Sequence, residues 1–190
     1  MTGFLAGEDL SPNRIELARR EAQAGAGYID LTSSNPTHQG LLFPPALLQE
    51  AAQHYWANRR YEPDAHGSIT ARIAIAEYYK RRTPALNIRP EELFITASTS
   101  EAYSLLFALL TEPGDNILAP AVSYPLFDYL AAIHHVQLRP YALDETRDWR
   151  IDPASLHAQA DSLTRAVLVI SPHNPTGTII QTSVPSLTGL

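Results

Sequence analysis

The chain has 190 residues, the size of one domain or one and a fragment at about 150 residues per domain. Its 45% apolar content can fill a core. Its 18% charged content argues against a disordered chain, and its net charge of −6 against nucleic-acid or anionic-membrane partners, which need clustered Lys and Arg. With no cysteine, disulfide scaffolds, thiolate metal sites and thiol nucleophiles are excluded; with no long apolar run and no basic-then-apolar leader, a soluble cytoplasmic protein is expected.

Ser11-Pro12 predicts a helix start, with Ser as cap and Pro in the first turn, running to Ala24 before Gly25 and Gly27. Residues 28–32 read as a short strand, and 33–43 as a loop around Asn35-Pro36. Pro45 opens a second helix with Leu47, Leu48, Ala51, Ala52 and Tyr55 on one face. A polar loop over 58–66 centres on Tyr61. Gly67 then leads into a third helix, striped by Ile69, Ile73 and Ala76 and ending near Arg82.

From there strands and helices alternate. Residues 93–97 read as a buried strand, 100–110 as an almost wholly apolar helix, and Pro113-Gly114-Asp115 as a turn. A strand at 116–119, a helix at 125–134 and a strand at 136–141 follow. Asp152-Pro153 caps a short helix to 160, and 165–170 reads as the clearest buried strand. The alternation implies an α/β fold of three layers, a mostly parallel sheet with helices on both faces. The ligand site of such a sheet lies outside the carboxyl ends of its strands.

Three stretches occupy that position. In Ile95-Thr96-Ala97-Ser98-Thr99-Ser100-Glu101 a strand passes through small hydroxyl residues into a helix. Free N–H groups, the helix dipole and the hydroxyls there suit a phosphate, and an ordinary helix cap is the plain alternative. Tyr124, between a strand and a helix, can lie over a planar ligand or simply pack on the helix start. In Ser171-Pro172-His173-Asn174-Pro175-Thr176-Gly177 two prolines and a glycine stiffen a loop that presents the Asn174 amide; a plain turn is the alternative.

Taken together, these motifs and their order resemble the N-terminal half of a pyridoxal-phosphate-dependent aminotransferase of fold type I (class I/II), over about residues 29–180. The run ending in Asn174-Pro175-Thr176-Gly177 is similar to the family's Asn-Pro-Thr-Gly loop, and Pro113-Gly114-Asp115 to its Pro-Gly-Asp turn. Tyr61, Pro63, Gly67 and Arg72 match its Tyr-x-Pro…Gly…Leu-Arg stretch. The resemblance implies an incomplete large domain over 41–190. Residues 1–40 would be an arm belonging to the small domain or to a dimer contact. It implies that Ser98, Thr99 and Ser100 hold the cofactor phosphate, that Tyr124 stacks on the pyridine ring, and that Asn174 bonds the ring's phenolic oxygen. Tyr61 would reach the phosphate of a neighbouring subunit in a homodimer, and Asn35 would lie beside the substrate carboxylate. Ser98 and Asn35 both stand where the family has glycine.

That chemistry needs a lysine as covalent anchor and proton shuttle. Lys80 is the single lysine; it precedes the phosphate loop in a charged helix end, and it reads as a solvated side chain. The anchoring lysine is therefore expected beyond Leu190, which reads as an artificial or degradative end, and the 190-residue chain as inactive alone. The expected reaction is amino-group exchange between an amino acid and a keto acid, in amino-acid metabolism. A carbon–sulfur lyase or cyclase of the same fold, or a non-catalytic interaction protein, are the alternatives. Dinucleotide, P-loop, hydrolase-elbow and zinc-helix motifs are lacking, so no metal is expected.

Overall fold

A computed structural model describes residues 7, 9–31 and 34–180. The chain divides into two compact units, Met1–Pro63 and Asp64–Leu190.

The first unit is made of local structure. Helix α1 (Arg14–Ala24) is capped by Asn13, whose side chain accepts from the Glu16 N–H at 2.9 Å. The expected cap, Ser11, instead donates its N–H to Asp9 at 2.9 Å, so the helix begins after Pro12 rather than at it. Gly25 and Gly27 close the helix through bonds to Ala22 O, Gly27 at a φ of 80°. Residues 28–31 form no strand, because no neighbouring strand completes a ladder with them; Thr32 lies outside the described residues. A 3-10 turn, Pro36–Gln39, sits in the expected loop. Helix α2 (Pro45–Asn58) starts with Pro at its first position, where the missing N–H has no helical partner to lose. No described residue of this unit is buried: the α2 face of Leu47, Leu48 and Tyr55 forms as a stripe but has no core beneath it.

In the second unit, helix α3 (Ile69–Lys80) follows Gly67 as expected. Gly67 has a φ of 87°, and a Cβ there would stand 2.7 Å from the Ile95 Cβ, so the close approach demands glycine. Arg72, buried on α3, donates to Gly67 O at 3.0 Å, Pro90 O at 2.9 Å and the Asp64 carboxylate at 2.9 Å, tying the helix to its flanking loops. Residues 93–97 differ from expectation. They form no strand and are not buried; Phe94 is 67% exposed. Their extended backbone has no strand beside it, and Ile95 N donates instead to His66 O at 2.9 Å.

Helix α4 (Thr99–Leu110), strand β1 (Asn116–Pro120), helix α5 (Leu126–Ile133) and strand β2 (Gln137–Tyr141) follow in order. After them come a hairpin, β3 (Leu143–Asp144) with β4 (Arg150–Ile151), that sequence reasoning missed, then helix α6 (Pro153–Gln159) and strand β5 (Thr164–Val167). The sheet is parallel with order β2-β1-β5, while β3 and β4 pair antiparallel.

The expected three layers are present because successive residues of a strand face opposite sides. Ile117 joins Phe107 of α4, Leu130 and Ala131 of α5, and Val136 on one face. Leu118 joins Tyr141, Leu156 of α6 and the hairpin residues Leu143 and Ile151 on the other. The strand expected to be most buried, β5, is shorter than 165–170 and half-buried, whereas every residue of β1 is buried. The reason is position: β1 is central and β5 lies at the edge of the ordered sheet.

Candidate functional site

Helix α4 ends at Leu110 and β1 starts at Asn116, joined by a turn through Gly114 at a φ of 95°. Such a connection makes α4 antiparallel to β1, so its first turn lies at the carboxyl end of the sheet. Ser98 is the cap of α4 and accepts from the Glu101 N–H at 3.1 Å. Its φ of −161° is extended, so a side chain in place of the family glycine strains nothing. Thr99 and Ser100 are the first two helical residues, and among the described residues their hydroxyls make no hydrogen bond. The Glu101 carboxylate turns back and accepts from the Ala97 N–H at 2.5 Å. The loop already holds one anion on a backbone amide, Ala97 N–H, which is the chemistry a phosphate needs.

Tyr124 leaves the carboxyl end of β1 and is 52% exposed, with its ring 6.3 Å from that of Phe127. Phe127 in turn meets Tyr103 of α4 edge-on at 4.8 Å. These ring contacts hold the starts of α4 and α5 together, with Tyr124 on their rim.

The third loop leaves β5. Leu168 N donates to Leu118 O at 2.7 Å, and the Tyr141 hydroxyl donates to Leu168 O at 2.9 Å, fixing the loop's root across the sheet. Burial of Tyr141 pushes its hydroxyl up to about 12. Both X–Pro bonds of the loop, Ser171-Pro172 and Asn174-Pro175, are cis. Asn174 is exposed, and among the described residues its amide makes no hydrogen bond. An acceptor and a donor thus face solvent at the same sheet end as Tyr124 and the α4 start.

Tyr61 and Asn35 belong to the first unit. Tyr61 is 92% exposed. The Asn35 Oδ1 accepts from the Thr37 N–H at 3.0 Å and the Thr37 hydroxyl at 2.6 Å, capping the 3-10 turn. Lys80 ends α3, exposed and 3.5 Å from the Glu77 carboxylate. Among the described residues no group of His, Asp and Glu could hold a metal ion, and no helix is long and apolar enough to cross a membrane. Sequence reasoning passed over Glu101; the Ser-x-x-Glu spacing of a capping box, Ser98 to Glu101, was the available signal.

Comparison with known proteins gives a consistent result. The sequence profile of the family described as aminotransferase class I and II matches residues 26–183. The chain is 36% identical over 119 residues to the S-alkyl-thiohydroximate lyase of Arabidopsis thaliana, covering 63% of this chain and 25% of that protein. It is 30% identical over 166 residues to a protein of the same plant described as a probable aminotransferase, covering 86% of this chain and 40% of that protein. Among solved structures, an alanine aminotransferase from Pyrococcus furiosus aligns with a TM-score of 0.65 at 32% identity, covering 74% of this chain and 36% of that one. The chain thus spans 25% to 40% of the length of these curated relatives.

Proposed function

The chain belongs to the class I and II aminotransferase family, and from that premise we propose that its carboxyl-end loops bind pyridoxal 5′-phosphate for amino-group exchange between an amino acid and a keto acid. The observation that carries the reading is the Asn174 loop, with an unpartnered amide at the same sheet end as the hydroxyl-rich start of α4.

In this reading Ser98, Thr99 and Ser100 hold the phosphate with backbone N–H groups and hydroxyls, aided by the positive end of α4. Tyr124 covers one face of the pyridine ring, and Asn174 donates to its phenolic oxygen. When bound, the cofactor supplies an electron sink for the substrate's α-carbon. Asn174 tunes that sink by favouring the anionic oxygen, because a hydrogen bond to a charged form stabilises it. Tyr61 serves the phosphate site of a second copy in a homodimer, and Asn35 lies beside the substrate carboxylate through its amide N–H₂, since its oxygen is engaged by Thr37. Residues 1–40 act as an arm of the small domain or dimer contact, and 41–190 as part of the large domain. Lys80 has no part in the chemistry; the anchoring lysine is proposed to lie outside these 190 residues.

Titration with pyridoxamine 5′-phosphate, which needs no covalent anchor, tests the reading directly. Saturable binding is expected, stronger than for pyridoxamine without phosphate, and weakened in Asn174→Ala. Equal binding of the two compounds, or none, would overturn it.

A second reading has its own support, since the 36%-identical relative is named a lyase. In a longer protein that carries the anchoring lysine, return of the pyridoxamine form to the pyridoxal form on adding a keto acid favours transamination. Thiol release from an S-alkyl substrate favours the lyase.

A further inference from the structure

Three bonds of the Asn174 loop converge on one residue. His173 N donates to Thr178 O at 2.8 Å, and Gly177 N donates to His173 O at 2.7 Å. The His173 ring nitrogen Nδ1 pairs with the Thr176 hydroxyl at 2.8 Å. Thr176 Oγ1 also accepts from Thr178 N at 3.4 Å. The imidazole is 5% exposed and lines a cavity of about 10 Å³, room for one water molecule at most. The other walls include Tyr141, Leu143, Trp149 and Ile151, the end of β2 and the β3–β4 hairpin. The ring's other nitrogen, Nε2, is buried with no partner among the described residues.

An apolar side chain of similar size would fill this space without burying an unpaired nitrogen. The imidazole is explained by what Nδ1 does. It joins the first residue of the turn to Thr176, across the two positions that carry Asn174 and Pro175. The hairpin supplies the wall behind it. Asp148 and Trp149 stand there at φ of 57° and 56°, a left-handed pair outside glycine that turns the Trp149 ring onto the cavity.

We infer that His173 is a positioning residue: its Nδ1 bond to Thr176 holds the loop in the one shape that presents the Asn174 amide, with the β3–β4 hairpin as its backing. The inference deepens the proposed cofactor reading and rests on it only for the identity of the ligand.

The test uses His173→Asn, His173→Leu and Thr176→Val in the 15N-labelled protein. An Asn side chain places a polar atom where Nδ1 stands and omits Nε2. His173→Leu and Thr176→Val remove one partner each. The probe is pyridoxamine 5′-phosphate, and the second readout is the Asn174 side-chain amide resonance without ligand. His173→Leu and Thr176→Val are expected to shift or broaden that resonance and to weaken binding about tenfold. His173→Asn should restore both. Thr176→Val changes no buried volume, so it reports even if His173→Leu does not fold.

An unchanged resonance in Thr176→Val, or a His173→Asn protein as impaired as His173→Leu, would overturn the inference. If the unmodified protein binds no probe, the cofactor reading fails, and the resonances alone decide the positioning role.

Discussion

Asn116 and Asn174 stand at opposite ends of the same sheet, and their surroundings differ completely. At the amino ends of the strands, Asn116 is fully buried, donates to Asp161 at 2.8 Å and accepts from the Thr164 hydroxyl at 2.7 Å. Asp161 also accepts from Arg139 at 2.6 Å, and Asp115 from Arg165 at 2.8 Å and from the Glu112 N–H at 2.9 Å. At the carboxyl ends, the side chains of Asn174, Tyr124, Thr99 and Ser100 make no hydrogen bond among the described residues. The same chemical groups are joined to one another at one end and held out to solvent at the other. A buried polar group must be paired or it destabilises the fold, whereas an exposed one is solvated and remains available to a ligand.

The comparison predicts a separation of stability from binding. The largest effect belongs to Asn116→Ala, which removes one hydrogen-bond partner from Asp161 and one from Thr164 at a fully buried position. A loss of about 3 kcal/mol is expected in urea unfolding, with pyridoxamine 5′-phosphate affinity unchanged in the folded fraction. Next is Asn174→Ala, expected to weaken that affinity about tenfold, or about 1.4 kcal/mol, and to leave the urea midpoint in place. If the two variants exchange these signatures, the division between the sheet ends is wrong.

The amino end should also respond to acid. Asp161 is held down at about 2, first by the Asn116 amide, then by the Leu163 N–H and Arg139. The Arg165 guanidinium, with the Glu112 N–H, lowers Asp115 as well. Unfolded, these carboxyls titrate near about 4. Their contribution is therefore fully present above about pH 4 and is lost as pH falls through their lowered folded values, about 2 for Asp161. Unfolding midpoints measured from pH 6 to pH 2 should fall in that window, and Asp161→Asn should flatten the fall. The smallest effect is expected for Ser100→Ala. Deleting one hydroxyl should weaken the pyridoxamine phosphate affinity a few-fold and leave affinity for unphosphorylated pyridoxamine as it was, both read by calorimetry.

Glu101 marks where the two ends differ least. Its carboxylate occupies the Ala97 N–H at the carboxyl end, as Asp161 occupies the Leu163 N–H at the amino end. It is the charged side chain of the α4 start that meets a backbone donor of its own loop, and a phosphate brought there must share that neighbourhood with its charge.

Much of this was readable from residue order alone. Pro45, Gly67 and Asp152-Pro153 mark helix starts because their constraints act on their own backbone and immediate neighbours. Alternation of apolar segments implies a parallel sheet between two helical layers, and Tyr124 and the Asn174 loop do follow strands, β1 and β5, whereas the Ser98 stretch follows an extended segment that pairs with no strand. The segments expected as strands, unpaired over the described residues 28–31 and 93–97, have the apolar, β-branched composition of strands, but a strand is completed by a neighbour, which no local pattern supplies. The hairpin over Leu143–Ile151 was missed because its strands are only two residues each and its turn uses Asp148 and Trp149 in a left-handed conformation usually left to glycine.

By itself the sequence determined which segments are helices, which residues are chemically able to meet a phosphate, an aromatic ring and an oxygen, and the family to which their order belongs. Those features depend on bonds and spacings within a few residues. Only the tertiary structure decided that β1 rather than β5 is the buried strand, that Asn116 is paired while the Asn174 side chain is not, and that the bonds of the Asn174 loop meet at buried His173. Strand order and cavity walls join residues far apart in the chain, and burial, which sets the cost of an unpaired polar group, is a property of that assembly and not of any segment.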